Sequence, residues 1–155
     1  MILLDSNLWV FGTLGTNDRA EALLREIEHG TTTSAIDAYI LREVLAAFGR
    51  VQGFSPAERD EYRSLFLTRL TRMTGLLEAP SQRDVTAISL EERRQAPAIR
   101  LLARILNIQP KDAPILVLAY RYADRDPTIL TNDKAFADCV PADYDLSEID
   151  IDYVA

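Results

Sequence analysis

Met1-Ile2-Leu3-Leu4-Asp5-Ser6-Asn7 opens the chain as an unbroken apolar run that stops on an acid and two turn formers. A run with no polar alternation suits a strand buried on both faces of a parallel sheet, ending in a loop. The segments that follow agree with that reading. Leu23, Leu24 and Ile27 make the stripe of a helix that Asn17 or Asp18 starts and His29-Gly30 ends. Thr31-Thr32-Thr33-Ser34 is β-prone and reads as a second strand. Strand, helix and strand form a unit with a parallel pair and a right-handed crossover. Leu76-Leu77-Glu78-Ala79 reads as a short strand, and Thr128-Ile129-Leu130-Thr131 as another after the Asp126-Pro127 turn. Ile149 to Tyr153 alternates and reads as an edge strand. The expected class is α/β: a three-layer α/β/α arrangement around a mostly parallel sheet of about five strands, with helices on both faces.

The remaining segments read as helices. Ile36, Ile40, Val44, Ala47 and Phe48 share one face of a helix over about 36–50. Ser55-Pro56-Ala57-Glu58 combines a cap, a proline at the first position and a glutamate that reaches back, so a helix starts there and runs to about Met73. Another starts at Ser81 and is interrupted at Pro97; Ala98 to Leu106 and the apolar run from Ala113 to Tyr120 follow. Residues 1–155 are expected to form one domain, and 55–107 is longer than the sheet needs. That segment is expected to be a helical insertion: an arm, a lid or a partner surface.

Composition narrows the function. The 155 residues are 48% hydrophobic, enough for one core. A net charge of −7 is not that of a general nucleic-acid binder, so any RNA contact needs a local arginine cluster or a bridging metal ion. Single copies of Cys139 and His29 exclude a disulfide framework, a Cys/His zinc site and a Cys–His dyad within one chain. The N-terminus has no signal-peptide pattern, and Ala113–Tyr120 is too short to span a bilayer. A cytoplasmic protein away from the membrane is expected.

Four acids fall where this fold would gather them: Asp5 after the first strand, Glu43 on the helix after the second, Asp112 at the start of an apolar helix, and Asp133 after Thr131-Asn132. Ligands of open α/β sheets bind at that edge. Two unit charges ~4 Å apart repel by roughly 4 kcal/mol at an effective dielectric of about 20, so a divalent cation is the economical reading. Each acid also has a plain structural reading. Asp5 and Asp133 are turn formers or caps, Asp112 suits the helix dipole, and Glu43 could pair with Arg50. Asp138 lies one turn beyond Asp133 and faces either the cleft or solvent. Arg93-Arg94 and Arg100 with Arg104 read as a solvated helical face sooner than as an RNA track.

At these residues the chain resembles the PIN-domain family of metal-dependent nucleases, and looks closest to the VapC-type toxins of toxin–antitoxin pairs. Ile2-Leu3-Leu4-Asp5-Ser6-Asn7 looks like the opening strand with its first metal-binding aspartate. Thr33-Ser34-Ala35-Ile36 through Leu41-Arg42-Glu43-Val44 looks like the segment carrying the glutamate. Lys111-Asp112-Ala113-Pro114-Ile115 looks like the helix start with the next aspartate, and Ile129-Leu130-Thr131-Asn132-Asp133-Lys134-Ala135-Phe136 like the strand-and-turn signature. The segment 55–107 matches none of the family's pattern.

The resemblance implies a PIN-like fold and an endoribonuclease. It makes Asp5, Glu43, Asp112 and Asp133 the catalytic and metal-binding residues, with Mg²⁺ or Mn²⁺ as cofactor, RNA as substrate and Thr131 in support. It further implies a cognate antitoxin and a homodimer. The alternative is a catalytically silent PIN-like module that binds RNA or protein. A phosphatase with a nucleophilic aspartate would need a second acid two residues after Asp5, where Asn7 stands. A receiver domain would need an acidic pair before its phosphoacceptor and a lysine near the end of a late strand, which is not the arrangement here.

Overall fold

A computed structural model describes residues 1–155. The chain begins on β1 (Ile2–Leu4), and β2 (Thr128–Thr131) and β3 (Asp150–Tyr153) lie beside it in the order β1-β2-β3, all parallel. Leu3 pairs with Ile129 and Ile129 with Ile151, so the apolar runs meet in the centre of the sheet. The regular sheet therefore has three strands and not about five. The expected strands at 31–34 and 76–79 make only one parallel bridge, Ser34 with Leu76. Their hydrogen bonds continue the sheet without forming a ladder. Ile2 N–H donates to the Thr33 carbonyl at 2.9 Å, Ser34 N–H to Gly75 at 2.9 Å, and Leu77 N–H to Ser34 at 2.8 Å. Ile36 N–H donates to Glu78 at 3.0 Å, two residues on from Ser34 but three on from Gly75, so the register slips by one residue and no regular ladder forms.

This connectivity positions the site. From β1 the chain goes to one side, to Ser34 and Leu76, and later returns on the other side as β2 and β3. The direction of travel reverses between β1 and β2. The crevice beyond the carboxyl ends of those two strands is the topological switch point of the sheet. Asp5 follows β1 there, and its N–H donates to the Leu130 carbonyl at 2.9 Å.

Nine α-helices pack around the sheet. The first, α1 (Ser6–Leu14), replaces the loop expected after Asp5. Next come α2 (Asp18–Glu28), α3 (Ala38–Phe48), α4 (Pro56–Leu70), α5 (Gln82–Ala87), α6 (Leu90–Gln95), α7 (Pro97–Leu106), α8 (Ala113–Arg121) and the one-turn α9 (Lys134–Ala137). The Ser55–Glu58 capping box is present, and Asn17, not Asp18, caps α2. The segment 55–107 is folded onto the rest: Phe66, Leu70, Met73 and Val85 belong to the same core cluster as Leu3, Trp9 and Ile129. No helix is long and apolar enough to cross a membrane.

Gly75 holds the outer segment in place. A β-carbon there would strike the Thr32 carbonyl oxygen and stand 2.8 Å from that of Ile27, both backbone atoms that cannot swing aside. Gly75→Ala should push the segment away from Ser34 and destabilise the protein by about 1–3 kcal/mol. A thermal melt should show the midpoint falling by several degrees; an unchanged midpoint would mean the outer segment is not held as the structure shows.

Candidate functional site

Asp5 is the N-cap of α1. Its Oδ1 accepts from Ser6 N–H at 2.7 Å, and its Oδ2 accepts from the Thr131 hydroxyl at 2.8 Å across the β1–β2 crevice. The capping reading and the site reading are therefore both correct in geometry: one oxygen serves the helix, the other faces β2. The same Thr131 hydroxyl accepts from Asp133 N–H at 3.0 Å, so one side chain fixes both aspartate-bearing turns. Asn7 donates to Asn132 at 3.3 Å and closes the turn from the other side. Burial raises the Asp5 carboxyl above its ordinary value, and the Thr131 and Ser6 donors oppose that rise.

Glu43 enters from α3 and is largely buried. Its partner is not Arg50, which is exposed on the far end of the region, but Arg94 of α6, at 3.3 Å. Arg94 also donates to the Tyr39 hydroxyl at 2.9 Å and lies 5.8 Å from the centre of the Tyr39 ring. Tyr39 in turn donates to the Lys111 carbonyl at 3.1 Å, one residue before Asp112. Burial raises Glu43, the Asp5 charge adds to the rise, and Arg94 and Lys111 counter it. Tyr39 is thus a site neighbour that the sequence reading did not pick out, and Arg94, expected on a solvated helical face, instead turns into the site to pair with Glu43. A carboxylate on the apolar stripe of α3 signalled that some cation must reach it, but not which.

Asp112 is the most telling of the four. It occupies the N-cap position of α8 yet caps nothing: its side chain makes no hydrogen bond to the helix. Only 7% of the residue is exposed. Burial pushes its carboxyl up to about 7, with Asp5, Asp133 and Glu43 adding repulsion and Lys111 relieving part of it. All three other acids therefore act on Asp112 at once.

Asp133 is half-buried and caps α9, accepting from Phe136 N–H at 3.2 Å. It lines a hollow of about 290 Å³ together with Asp112, Asn107 and Gln109. Asp138 is exposed and lines a different hollow, with Cys139 and Tyr144.

The donor set suits a hard divalent cation: carboxylate oxygens only, with the Asp112 carboxylate making no hydrogen bond to the helix it precedes. The geometry is less complete. No three His, Cys, Asp or Glu side chains stand together ready to hold a metal ion. The Glu43–Arg94 pair commits one of the four carboxylates to a protein cation, so the acids share an electrostatic field without forming a closed cage.

No protein-family model matches the chain, and no curated protein matches it. Among solved structures, the crystal structure of VapBC2 from Rickettsia felis bound to a DNA fragment from their promoter is similar in fold. The likeness spans 100% of both chains, with a TM-score of 0.54 and 15% identity.

Proposed function

We propose that the chain is a PIN-like, Mg²⁺- or Mn²⁺-dependent endoribonuclease, and the toxin of a toxin–antitoxin pair. The observation that carries the proposal is Asp112: a buried, unpartnered carboxylate on which Asp5, Glu43 and Asp133 all act. Evolution of such a repulsive nucleus for stability alone is uneconomical. The ordered motif resemblance and the fold shared with VapBC2 support the same reading. An antitoxin covering the acidic crevice and a homodimer belong to this proposal.

Asp5, Glu43, Asp112 and Asp133 would hold the cation, which supplies an activated water and neutralises charge on a phosphodiester. The protein's own part is orientation and proton release. The Thr131 hydroxyl and Ser6 N–H hold Asp5 with one oxygen toward the crevice. Phe136 N–H and the Thr131 hydroxyl fix the turn that presents Asp133. Asp112 must give up its proton before it can act as a ligand. Glu43 must leave Arg94.

Calorimetric titration with Mn²⁺ and Mg²⁺ tests the proposal, on the wild type and on Asp5→Asn, with the same samples incubated with a structured RNA. Metal binding lost in the variant, and metal-dependent cleavage by the wild type alone, are expected. A wild type that binds no metal would move the weight to the second reading, a silent binding module. The Glu43–Arg94 pair and the lack of an assembled three-ligand cluster are what favour that reading.

Arg94 provides a sharper check. Arg94→Ala frees Glu43 and removes a cation from the crevice. Mn²⁺ affinity should then rise, by about tenfold if the partly buried pair is worth roughly 1.4 kcal/mol. Weaker Mn²⁺ binding by Arg94→Ala would show that Arg94 organises the site and does not compete for it.

A further inference from the structure

The acidic crevice does not end at Asp112 and Asp133. Its hollow shares Asn107 and Ile108 with a second hollow of about 290 Å³, which Arg100 and Arg104 line. Those two arginines also line a third hollow of about 240 Å³, toward Gln95 and Pro97. The three depressions share lining residues, each with the next, and lead from Asp112 and Asp133 along α7. The two hollows beyond the acids have no aspartate or glutamate in their walls. In a chain with 24 acidic residues, neither Arg100 nor Arg104 has an ion-pair partner, and both are exposed.

Arg100 and Arg104 are one helical turn apart, which puts their β-carbons about 5–6 Å from each other on one face of α7. Unpaired guanidinium groups in that arrangement can each take a phosphate oxygen pair. Leu101 and Ile105 stand exposed beside them and offer an apolar edge to sugars and base faces. An acidic protein as a whole repels nucleic acid, so a local cationic path that opens onto the acidic crevice has a use that a solvated helix face lacks.

We propose that Arg100 and Arg104 form a track for the phosphate backbone of a single-stranded nucleic acid, holding the strand that the acidic crevice acts on. The inference rests on the nuclease reading for what happens at the crevice, but the track itself is a binding site and is tested as one.

The test is fluorescence anisotropy of a short fluorescein-labelled single-stranded RNA over a series of KCl concentrations in Mg²⁺ buffer. Asp112→Asn serves as the non-cutting background, alone and combined with Arg100→Ala/Arg104→Ala. Two lost phosphate contacts should flatten the slope of log K against log salt by about 1.4, at ~0.7 per phosphate on a single strand. Affinity should drop at least about tenfold at low salt. Arg100→Lys/Arg104→Lys should restore the slope, which a merely structural role of α7 would not predict. An unchanged slope in the double alanine variant overturns the proposal. So does loss of self-association, or of polyglutamate binding, with RNA binding intact, which would give the face to a second copy or to an acidic protein. Cleavage by the chain with its four acids intact is measured in parallel. A flattened slope with no cleavage at all leaves the track standing and sinks the nuclease reading alone.

Discussion

Asp112→Asn is expected to yield a protein that is more stable at pH 8 and inactive at every pH. The two halves have one cause. The folded-state carboxyl titrates at about 7 against an ordinary value of 3.8. Between those values the folded protein keeps a proton that the unfolded chain has lost, so stability falls as pH rises through that window and the loss is complete above it. At about 1.4 kcal/mol per unit, the ceiling is on the order of 4 kcal/mol. Relaxation and residual hydration bring the gain from a neutral amide to about 2 kcal/mol, or roughly 4–8 °C for a chain of this size. Thermal melts of both proteins in chelator at pH 5 and pH 8 check this: the gap at pH 5, already inside the window, should be less than half of that at pH 8. Wild-type Mn²⁺ affinity should rise over the same window, since binding must displace the proton. Loss of cleavage should be at least about a hundredfold, because even outer partners of metal ligands cost up to that much. A variant no more stable than wild type at pH 8 would remove the electrostatic strain from which the site was inferred. A variant that cuts RNA normally would remove Asp112 from the chemistry.

The parts of this arrangement that could be read from sequence are those with a local cause. β1, β2 and β3 follow from short apolar or alternating runs, and the Ser55–Glu58 start from the capping chemistry of four consecutive residues. α1 was not legible because Ser6, Leu8, Trp9, Val10, Gly12 and Thr13 are all buried, so the helix has no polar face to give it a period. Gly12 inside it further lowers its helix propensity. The strand expected at 31–34 has the right residue types, but a ladder needs a constant register, and the bonds from Ser34 to Gly75 and from Ile36 to Glu78 are out of step by one residue. The same divide runs through the site. The positions of Asp5, Asp112 and Asp133 after strands and at helix starts, and of Glu43 on the apolar stripe of α3, are local facts. Glu43 pairing with Arg94, 51 positions away, is not, and the nearer Arg50 was the only partner spacing could suggest. That Asp112 sits at a cap position without capping is a matter of side-chain direction, which residue type does not encode.

Phe66→Ala is expected to cost about 3–5 kcal/mol of stability. Phe66 lies in α4, inside the segment that sequence alone would set apart as an insertion. Yet it is fully buried, with its ring 6.0 Å from Trp9 in an edge-on pair and 5.8 Å from Phe48. Such pairs add ~0.5–1.5 kcal/mol beyond the area they bury. The three rings join α1, α3 and α4, the first two being the helices that carry Asp5 and Glu43. Trp9 also donates to the Leu4 carbonyl at 3.1 Å, at the residue before Asp5. A void at Phe66 therefore loosens the ring that steadies the end of β1. Chemical denaturation of Phe66→Ala should show a single transition at a much lower midpoint with an unchanged slope. Leu65→Ala, one residue away and substantially exposed, should stay within about 0.5 kcal/mol of wild type. If α4 were a detachable arm, Phe66→Ala would instead cost about 1 kcal/mol or less, and hydrogen exchange would show α4 opening alone while β1 stayed protected. With α4 in the core, amides of α1 and α4 should lose protection together, and the Asp5 turn with them.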